Sequence, residues 1–284
     1  TEAQLLLVYG RRRVGKTVLL VHWAQNSGLP YTYWAAEKEP AVLQRRKLAA
    51  NVLGVNASQA PIFDTWQECW QAIAGYIGED QRHILILDEF PYAVDSDSAT
   101  LSALQHAWDH HFKQTKLIVV LCGSQVNVME TIKTHQSPLF GRLTGQWRLQ
   151  PLNFAVLREF LPQWSARERV AAYAVVGGVP AYLEWFEPGL SLVENIRQVI
   201  LDPGSMFMAE PEFLLYDEVT RPDNYLAIIK AIGTGNHTLS EIAREALIGT
   251  SHLSSYLARL QELRLVERRL PVTISPARRR RSKS

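Results

Sequence analysis

Short apolar runs alternate with amphipathic, helix-like segments along the first half of the chain. Segments around residues 40–54, 65–78 and 99–113 have the spacing of apolar residues that is typical of helices. The runs predicted as strands are "AQLLLVYG" (3–10), "YTYWAA" (31–36), "HILILDEF" (83–90), "KLIVVLCGS" (116–124) and "WRLQPL" (147–152). Apolar strands that alternate with helices predict a parallel sheet covered on both faces. We therefore expect an α/β domain over residues 1–152.

The pattern changes after this domain, because strand-like runs largely disappear. Helical segments with glycine and proline breaks predict a helical lid subdomain over residues 153–221. Three further helices and a short apolar run over residues 222–274 are compatible with a winged helix-turn-helix. The last ten residues, 275–284, contain "ARRRRSKS" and predict a basic disordered tail that is a candidate for phosphate contacts.

Helix 251–262 decides how the winged helix is interpreted. A helix that reads DNA should present groups that bind bases and phosphates. The polar side chains that this helix offers form only a weakly basic face: Ser251, His252, Ser254, Ser255, Arg259 and Gln261. We therefore expect a protein-interaction or regulatory module, with a protein partner or self-association, and DNA binding stays open as the alternative.

Composition narrows the class of protein. The 284 residues are 47% hydrophobic and 20% charged, which fits a folded chain with a large core and excludes a disordered one. No apolar run approaches the roughly 18 to 20 residues that cross a bilayer, so we expect no membrane association. Cys69 and Cys122 are the two cysteines and form no disulfide framework, which fits a cytoplasmic protein. The net charge of +2 indicates no partner.

The most informative motif is "GRRRVGKT", which lies between a predicted strand and a predicted helix. It matches the phosphate-loop pattern, in which backbone N–H groups and a helix N-terminus surround phosphate oxygens. The lysine reaches the terminal phosphates, and the threonine hydroxyl binds Mg²⁺. The predicted nucleotide contacts are Gly10, Arg11, Arg12, Arg13, Val14, Gly15, Lys16, Thr17 and Val18. For the three arginines, a solvated or partner-facing cluster is the alternative.

A pair of acidic residues ends the buried run "ILILDEF". Carboxyl ends of parallel strands form the ligand-binding edge of an open sheet. Asp88 is therefore predicted to hold Mg²⁺ together with Thr17, and Glu89 to orient or deprotonate the attacking water. The alternative is that the two acidic residues merely end a strand.

Two further polar residues are candidates for reading the γ-phosphate. Ser124 ends the third long apolar run, and a simple strand-end turn is its alternative. Arg142 lies in "SPLFGRLTG", where a cation beside glycines can neutralise charge in the transition state. A surface ion pair is the alternative for this arginine.

These segments, in this order, resemble the archaeal-type ATPase family. The resemblance runs from Gln4 to about Thr273 and is carried by "YGRRRVGKT", "LILDEFPYA", "VLCGS", "SPLFGRLTGQWRLQPL" and "VVGGVPAYLE". The family belongs to the phosphate-loop ATPases with an additional strand and a catalytic glutamate, near the STAND signalling group. It implies a sheet in which the Ser124 strand lies between the phosphate-loop strand and the Asp88 strand. It also implies that the chain is truncated, because members continue beyond the winged helix.

The stretch "GGVP" has two compatible interpretations. Gly177 and Gly178 can end one helix and Pro180 can begin the next. Related signalling ATPases place a "GxP" turn of the lid over the nucleotide base, and the resemblance implies that Pro180 does the same. ATP rather than GTP is expected from the family and from the absence of an "NKxD" base reader.

The combined expectation is an Mg²⁺-dependent ATP-binding protein that hydrolyses ATP slowly and acts as a nucleotide-controlled switch. The alternative is an ATP-gated DNA-binding regulator in which hydrolysis is incidental. A kinase is a weaker third possibility, because glutamate directly after the metal aspartate favours attack by water.

Overall fold

A computed structural model of the chain describes residues 2–78, 82–219, 221–263 and 265–269. The predicted basic tail, residues 275–284, lies outside the described residues. The chain divides into two compact units, residues 1–199 and 200–284. Within the described residues, no helix combines the length and the apolar character that crossing a membrane requires.

The first unit is built on a parallel sheet of five strands. Their bounds are β1 Gln4–Tyr9, β2 Tyr31–Ala35, β3 Ile84–Asp88, β4 Ile118–Gly123 and β5 Gly145–Arg148. The order across the sheet is β2-β3-β4-β1-β5, and every pair of neighbours is parallel. All residues of β3 and β4 are buried, as expected for central strands with helices on both faces. This confirms the α/β fold and the predicted place of the Ser124 strand.

Helices cover both faces of the sheet. Those that precede the last strand are α1 Lys16–Asn26, α2 Ala41–Leu53, α3 Trp66–Ile77, α4 Pro91–Ser96, α5 Thr100–His110 and α6 Val126–Ile132, with a 3-10 turn at Phe112–Gln114. On one face, Leu20 and Ala24 of α1 pack on the strands. On the other face, α3 and α5 contribute Trp70, Leu104 and other residues to the larger core. The helix α3 begins with a capping box in which Thr65 and Glu68 bond each other's backbone N–H.

Three elements differ from the sequence prediction. The short helices α4 and α6 follow β3 and β4 directly and were not predicted, because six or seven residues give too little periodicity to detect. The last strand covers 145–148 rather than the predicted 147–152. It is an edge strand with exposed residues, so its pattern is weaker than that of a buried strand.

A helical segment follows the sheet within the first unit, as predicted. Its helices are α7 Leu157–Phe160, α8 Ala166–Val176, α9 Pro180–Glu184 and α10 Leu192–Asn195, with a 3-10 turn at Phe154–Val156 and a π-helical stretch at Ile196–Ile200. The buried Asn195 side chain fixes the loop before α10. It accepts from the N–H of Glu187 at 2.7 Å and donates to the carbonyl oxygen of the same residue at 3.0 Å.

The second unit contains four helices among its described residues, α11 Met206–Glu218, α12 Pro222–Gly233, α13 Leu239–Glu245 and α14 Thr250–Glu262. Apolar residues of all four helices, including Leu215, Ile228, Ile242 and Leu253, form its core. Because α11 packs here, the boundary at residue 199 does not coincide with the predicted lid boundary at 221. The proposed wing falls mainly on residues outside the described part, so the winged helix and the four-part division stay predictions.

Candidate functional site

The phosphate-loop sequence forms a tight loop between β1 and α1. Gly10 lies against the backbone of Leu149, and a Cβ there would stand 2.5 Å from the Leu149 carbonyl oxygen, so only glycine fits. Gly15 caps α1 with a φ of 86°, a left-handed conformation that glycine adopts without strain. The first turn of α1 directs its backbone N–H groups to the loop, as in an anion-binding helix terminus.

Lys16 is buried and faces back into this loop. Its Nζ donates to the carbonyl oxygens of Gly10 at 3.0 Å and Arg11 at 3.1 Å. Burial lowers the pKa of Lys16, and the negative charges of Glu89 and Asp88 oppose that shift. The ammonium group is therefore held inside the loop that the sequence predicts to bind phosphate.

Asp88 is the buried last residue of β3, and both of its carboxylate oxygens accept hydrogen bonds. The Thr17 hydroxyl donates to Oδ2 at 2.6 Å, and the Tyr33 hydroxyl donates to the same oxygen at 3.0 Å. The backbone N–H of Glu89 donates to Oδ1 at 2.9 Å. A hydroxyl and a carboxylate that meet beside a phosphate loop fit Mg²⁺, which is usually bound by one or two carboxylates together with phosphate oxygens and water.

Glu89 lies beside Ser124 at the same edge of the sheet. Its backbone has a φ of 46°, which is uncommon for a residue other than glycine and recurs at functional sites. The backbone N–H of Ser124 donates to Glu89 Oε2 at 3.2 Å, and the Ser124 hydroxyl donates to it at 2.9 Å. The structure thus brings together the acidic pair and the polar end of β4.

Arg142 forms the ion pair that the sequence left open as an alternative. Its Nε and Nη2 donate to the carboxylate of Asp109 at distances from 2.7 to 3.1 Å. Its Nη1 donates to the carbonyl oxygens of Pro138 and Phe140 at 3.0 and 3.3 Å. Each guanidinium nitrogen therefore has an acceptor within the protein, and a role toward nucleotide stays a prediction.

The "GGVP" stretch ends one helix, begins the next and reaches the phosphate loop. Gly177 caps α8 with a φ of 66°, and Pro180 occupies the first turn of α9. Gly178 touches the backbone of Leu152, whose N–H donates to the Gly178 carbonyl oxygen at 2.7 Å. A Cβ placed on Gly15 would lie 3.8 Å from Cγ of Pro180. The turn is therefore a helix stop that places Pro180 next to Gly15 of the predicted nucleotide loop.

Trp185 and Tyr33 are two residues at the site that the sequence analysis missed. The guanidinium of Arg13 lies 4.6 Å from the ring centre of Trp185, at the end of α9, in a cation–π contact. Tyr33 was recognised only as part of a strand. Both contacts join residues far apart in the chain, and local patterns carry no signal of such pairs.

The remaining predicted contacts lie around the loop with differing exposure. Val14 is buried, whereas Arg12 and Thr17 are exposed and Val18 keeps 73% of its surface open to solvent.

Among the described residues, no group of three or more His, Cys, Asp or Glu side chains is arranged to hold a metal ion.

Comparison with known proteins gives one family and one fold. The sequence profile of an ATPase domain predominantly from Archaea matches residues 1–186. An uncharacterized protein of Methanocaldococcus jannaschii is 32% identical over 273 residues, which are 96% of this chain. The chain spans 59% of the length of that relative.

Two solved structures share the fold. The Walker-type ATPase of Pyrococcus abyssi is similar with a TM-score of 0.67 and 20% identity, over 91% of this chain and 84% of that one. The ORC2 protein of Aeropyrum pernix, solved in ADPNP–ADP complexes, has a TM-score of 0.64 and 14% identity, over 95% of this chain and 82% of that one. At these identities the likeness establishes the phosphate-loop ATPase fold and not a shared partner.

Proposed function

Since the chain belongs to the family of ATPase domains found predominantly in Archaea, we propose that it is an Mg²⁺-dependent ATPase that acts as a slow, nucleotide-controlled switch. The observation that carries this proposal is the meeting of Thr17 and Asp88 beside the phosphate loop, with 2.6 Å between hydroxyl and carboxylate oxygens. Glu89 follows Asp88 directly, at the position where a carboxylate can act on water.

In this proposal the loop and Lys16 bind the phosphates of ATP. Backbone N–H groups of the loop and of the α1 N-terminus surround phosphate oxygens, and the Lys16 ammonium neutralises charge on the terminal phosphates. Thr17 and Asp88 hold Mg²⁺, which neutralises charge on the phosphate oxygens when it is bound.

The proposed reaction is hydrolysis of the terminal phosphoanhydride bond. The oxygen of a water molecule forms a bond to the γ-phosphorus, and the bond from that phosphorus to the bridging oxygen breaks. Glu89 orients the water and accepts its proton, while Ser124 positions Glu89 or contacts the γ-phosphate. ADP and inorganic phosphate are the products.

Slow turnover is part of the proposal because two side chains with proposed catalytic roles already bond other residues of the protein. Glu89 accepts two hydrogen bonds from Ser124, and Arg142 is paired with Asp109. Arg142 would act on nucleotide only after leaving that ion pair. A partner protein or a second copy of the chain that rearranges these groups would raise the rate.

The test is nucleotide turnover by the purified protein, at several protein concentrations, with the Lys16→Ala variant alongside. We expect Mg²⁺-dependent release of phosphate from ATP by the parent and loss of ATP binding by the variant. A rise in specific activity with protein concentration would indicate that a neighbouring copy completes the site. An Lys16→Ala protein that binds ATP as tightly as the parent would defeat the phosphate-loop assignment.

An ATP-gated DNA-binding regulator is the second candidate, favoured by the helices of the second unit. The short connection between α13 and α14, and the core that Ile242, Leu253 and Leu260 share, fit a helix-turn-helix. Duplex-DNA binding measured with and without ATP, over a range of salt concentrations, tests it. Absence of binding at low salt would exclude this version.

A further inference from the structure

We infer that Tyr33 is a positioning residue for the metal site, which fixes the Asp88 carboxylate and thereby sets the affinity of the site for Mg²⁺. The inference rests on the proposed function, because it assumes that Asp88 holds the metal. It extends that function to a residue in a neighbouring strand.

The sheet itself directs the Tyr33 side chain to Asp88. Tyr33 is opposite Ile86 in the parallel pairing of β2 with β3, and Ala35 is opposite Asp88. Residues two apart along a strand share a face, so Tyr33, Ile86 and Asp88 all project from the same face. From there the phenol ring reaches along the sheet to its carboxyl edge, where its hydroxyl lies 3.0 Å from Asp88 Oδ2.

The position of the ring is fixed by its surroundings. Its side chain is half-buried and packs against the apolar core between the sheet and α1. The carbonyl oxygen of Tyr33 accepts a hydrogen bond from Asn51 Nδ2 at 2.8 Å. A hydroxyl on a rigid strand loses little freedom when it donates a hydrogen bond, so it can hold its partner in one orientation.

Two hydroxyl groups hold the same oxygen of the Asp88 carboxylate. Asp88 Oδ2 accepts from both Tyr33 and Thr17. Thr17 is itself a proposed metal ligand, whereas Tyr33 contacts the site through the carboxylate. Tyr33 therefore keeps the carboxylate in place independently of Thr17.

Hydrogen-bond partners that orient a metal ligand contribute strongly to metal affinity, and their loss typically weakens binding by about 10- to 100-fold. Since Glu89 N–H also holds Asp88, we expect the lower end of that range for Tyr33. The Tyr33→Phe variant removes the hydroxyl and keeps the ring. Its effect should appear in the Mg²⁺ requirement and not in contacts with the phosphates.

Tyr31→Phe is the matched control, because Tyr31 lies on the same strand and its side chain is exposed. Titration calorimetry with a non-hydrolysable ATP analogue measures binding over a series of Mg²⁺ concentrations and in EDTA. For Tyr33→Phe we expect the Mg²⁺ concentration at half-saturation to rise about tenfold, with binding in EDTA unchanged. Tyr31→Phe should match the parent in both measurements.

A Tyr33→Phe protein with the Mg²⁺ requirement of the parent overturns the inference and leaves the proposed function standing. The inference is also overturned if Tyr33→Phe weakens nucleotide binding equally with and without Mg²⁺, or if the variant has both weaker binding and a lower thermal unfolding temperature than the parent. Either result would indicate a purely structural role for Tyr33. In an Asp88→Asn background, Tyr33→Phe should have no further effect on Mg²⁺ dependence. A parent that binds nucleotide independently of Mg²⁺ would refute the metal site itself.

Discussion

Ser124 donates two hydrogen bonds to one carboxylate oxygen of Glu89, from its backbone N–H at 3.2 Å and its hydroxyl at 2.9 Å. The bonds join the ends of two adjacent parallel strands, β3 and β4. They occupy one of the two carboxylate oxygens with which Glu89 could accept a proton from water. We therefore treat Glu89 and Ser124 as a coupled pair whose variants should be measured together.

Replacement of Glu89 by glutamine should separate hydrolysis from binding. Glutamine has the same shape but cannot accept the proton, so we expect turnover to fall by about 10²- to 10⁴-fold. ATP affinity should stay within a few-fold, because Lys16 and the loop bind the phosphates. Phosphate release and calorimetric binding check the two parts. Unchanged Mg²⁺-dependent turnover would remove Glu89 from its proposed role.

Replacement of Ser124 by alanine should have a smaller effect. The variant loses the hydroxyl but keeps the backbone N–H bond to Glu89, so we expect roughly a tenfold fall in turnover. Residues that act as a unit are non-additive, and the double variant with Glu89→Gln should be no slower than Glu89→Gln alone. Additive losses, measured as single-turnover rates, would show that Ser124 works independently of Glu89.

The sequence predicted the parts of the site that are local. The phosphate loop and the Asp88–Glu89 pair each follow a buried strand, and both the apolar run and its polar end lie within a few consecutive residues. The two central strands, β3 and β4, were placed well because all their residues are buried and their apolar runs are continuous. The roles of these residues toward nucleotide stay predictions.

The contacts that the sequence could not reveal are between distant segments. Tyr33 and Asp88 are 55 positions apart, and Arg142 and Asp109 are 33 apart. A cation beside glycines looks the same whether it faces a nucleotide or a carboxylate on another helix. The contact of Arg142 with Asp109 of α5 depends on how two distant segments pack, which no local pattern reveals.

Gly178 should be far less tolerant of alanine than Gly189. A Cβ at Gly178 would lie 1.8 Å from the carbonyl oxygen of Leu152, whereas nothing lies within 4 Å of a Cβ at Gly189. We expect Gly178→Ala to lower the free energy of unfolding by about 1–3 kcal/mol or more, since it also breaks the bond from Leu152 N–H.

Gly189→Ala should change the free energy of unfolding by no more than about 0.5 kcal/mol. Chemical denaturation of both variants and the parent measures the difference. Equal stability of the two variants would mean that the close approach of Gly178 to Leu152 is not required.

Pro180 tests whether the lid turn contacts the nucleotide base. If it does, Pro180→Ala should weaken ATP binding several-fold and reduce the preference for ATP over GTP. Pro162→Ala is the control, because Pro162 is an exposed proline in the same helical segment. Competition binding with ATP and GTP supplies both quantities. If the ATP affinity of Pro180→Ala and its preference for ATP over GTP match those of the parent, the turn ends a helix beside Gly15 and does not contact the base.

The Arg142–Asp109 pair gives a matched set of variants, since one member is a candidate for catalysis and the other is not. Both side chains are about one-third exposed, so solvent screens the pair and we expect it to contribute less than about 1 kcal/mol. For the isolated protein, both Arg142→Gln and Asp109→Asn should lower stability and leave turnover within about twofold of the parent. Arg142→Gln should lower stability more, because it also removes the hydrogen bonds to the carbonyl oxygens of Pro138 and Phe140.

The pH dependence of stability has a defined sign for this pair. Hydrogen bonds from Arg142 lower the pKa of Asp109, so the stabilisation is complete above the ordinary aspartate pKa of about 4 and is lost as the pH falls through the lowered value. The stability difference between the parent and Asp109→Asn should therefore shrink in acid.

An Arg142→Gln protein that loses about 10³-fold in turnover while Asp109→Asn does not would show that the arginine acts on the nucleotide.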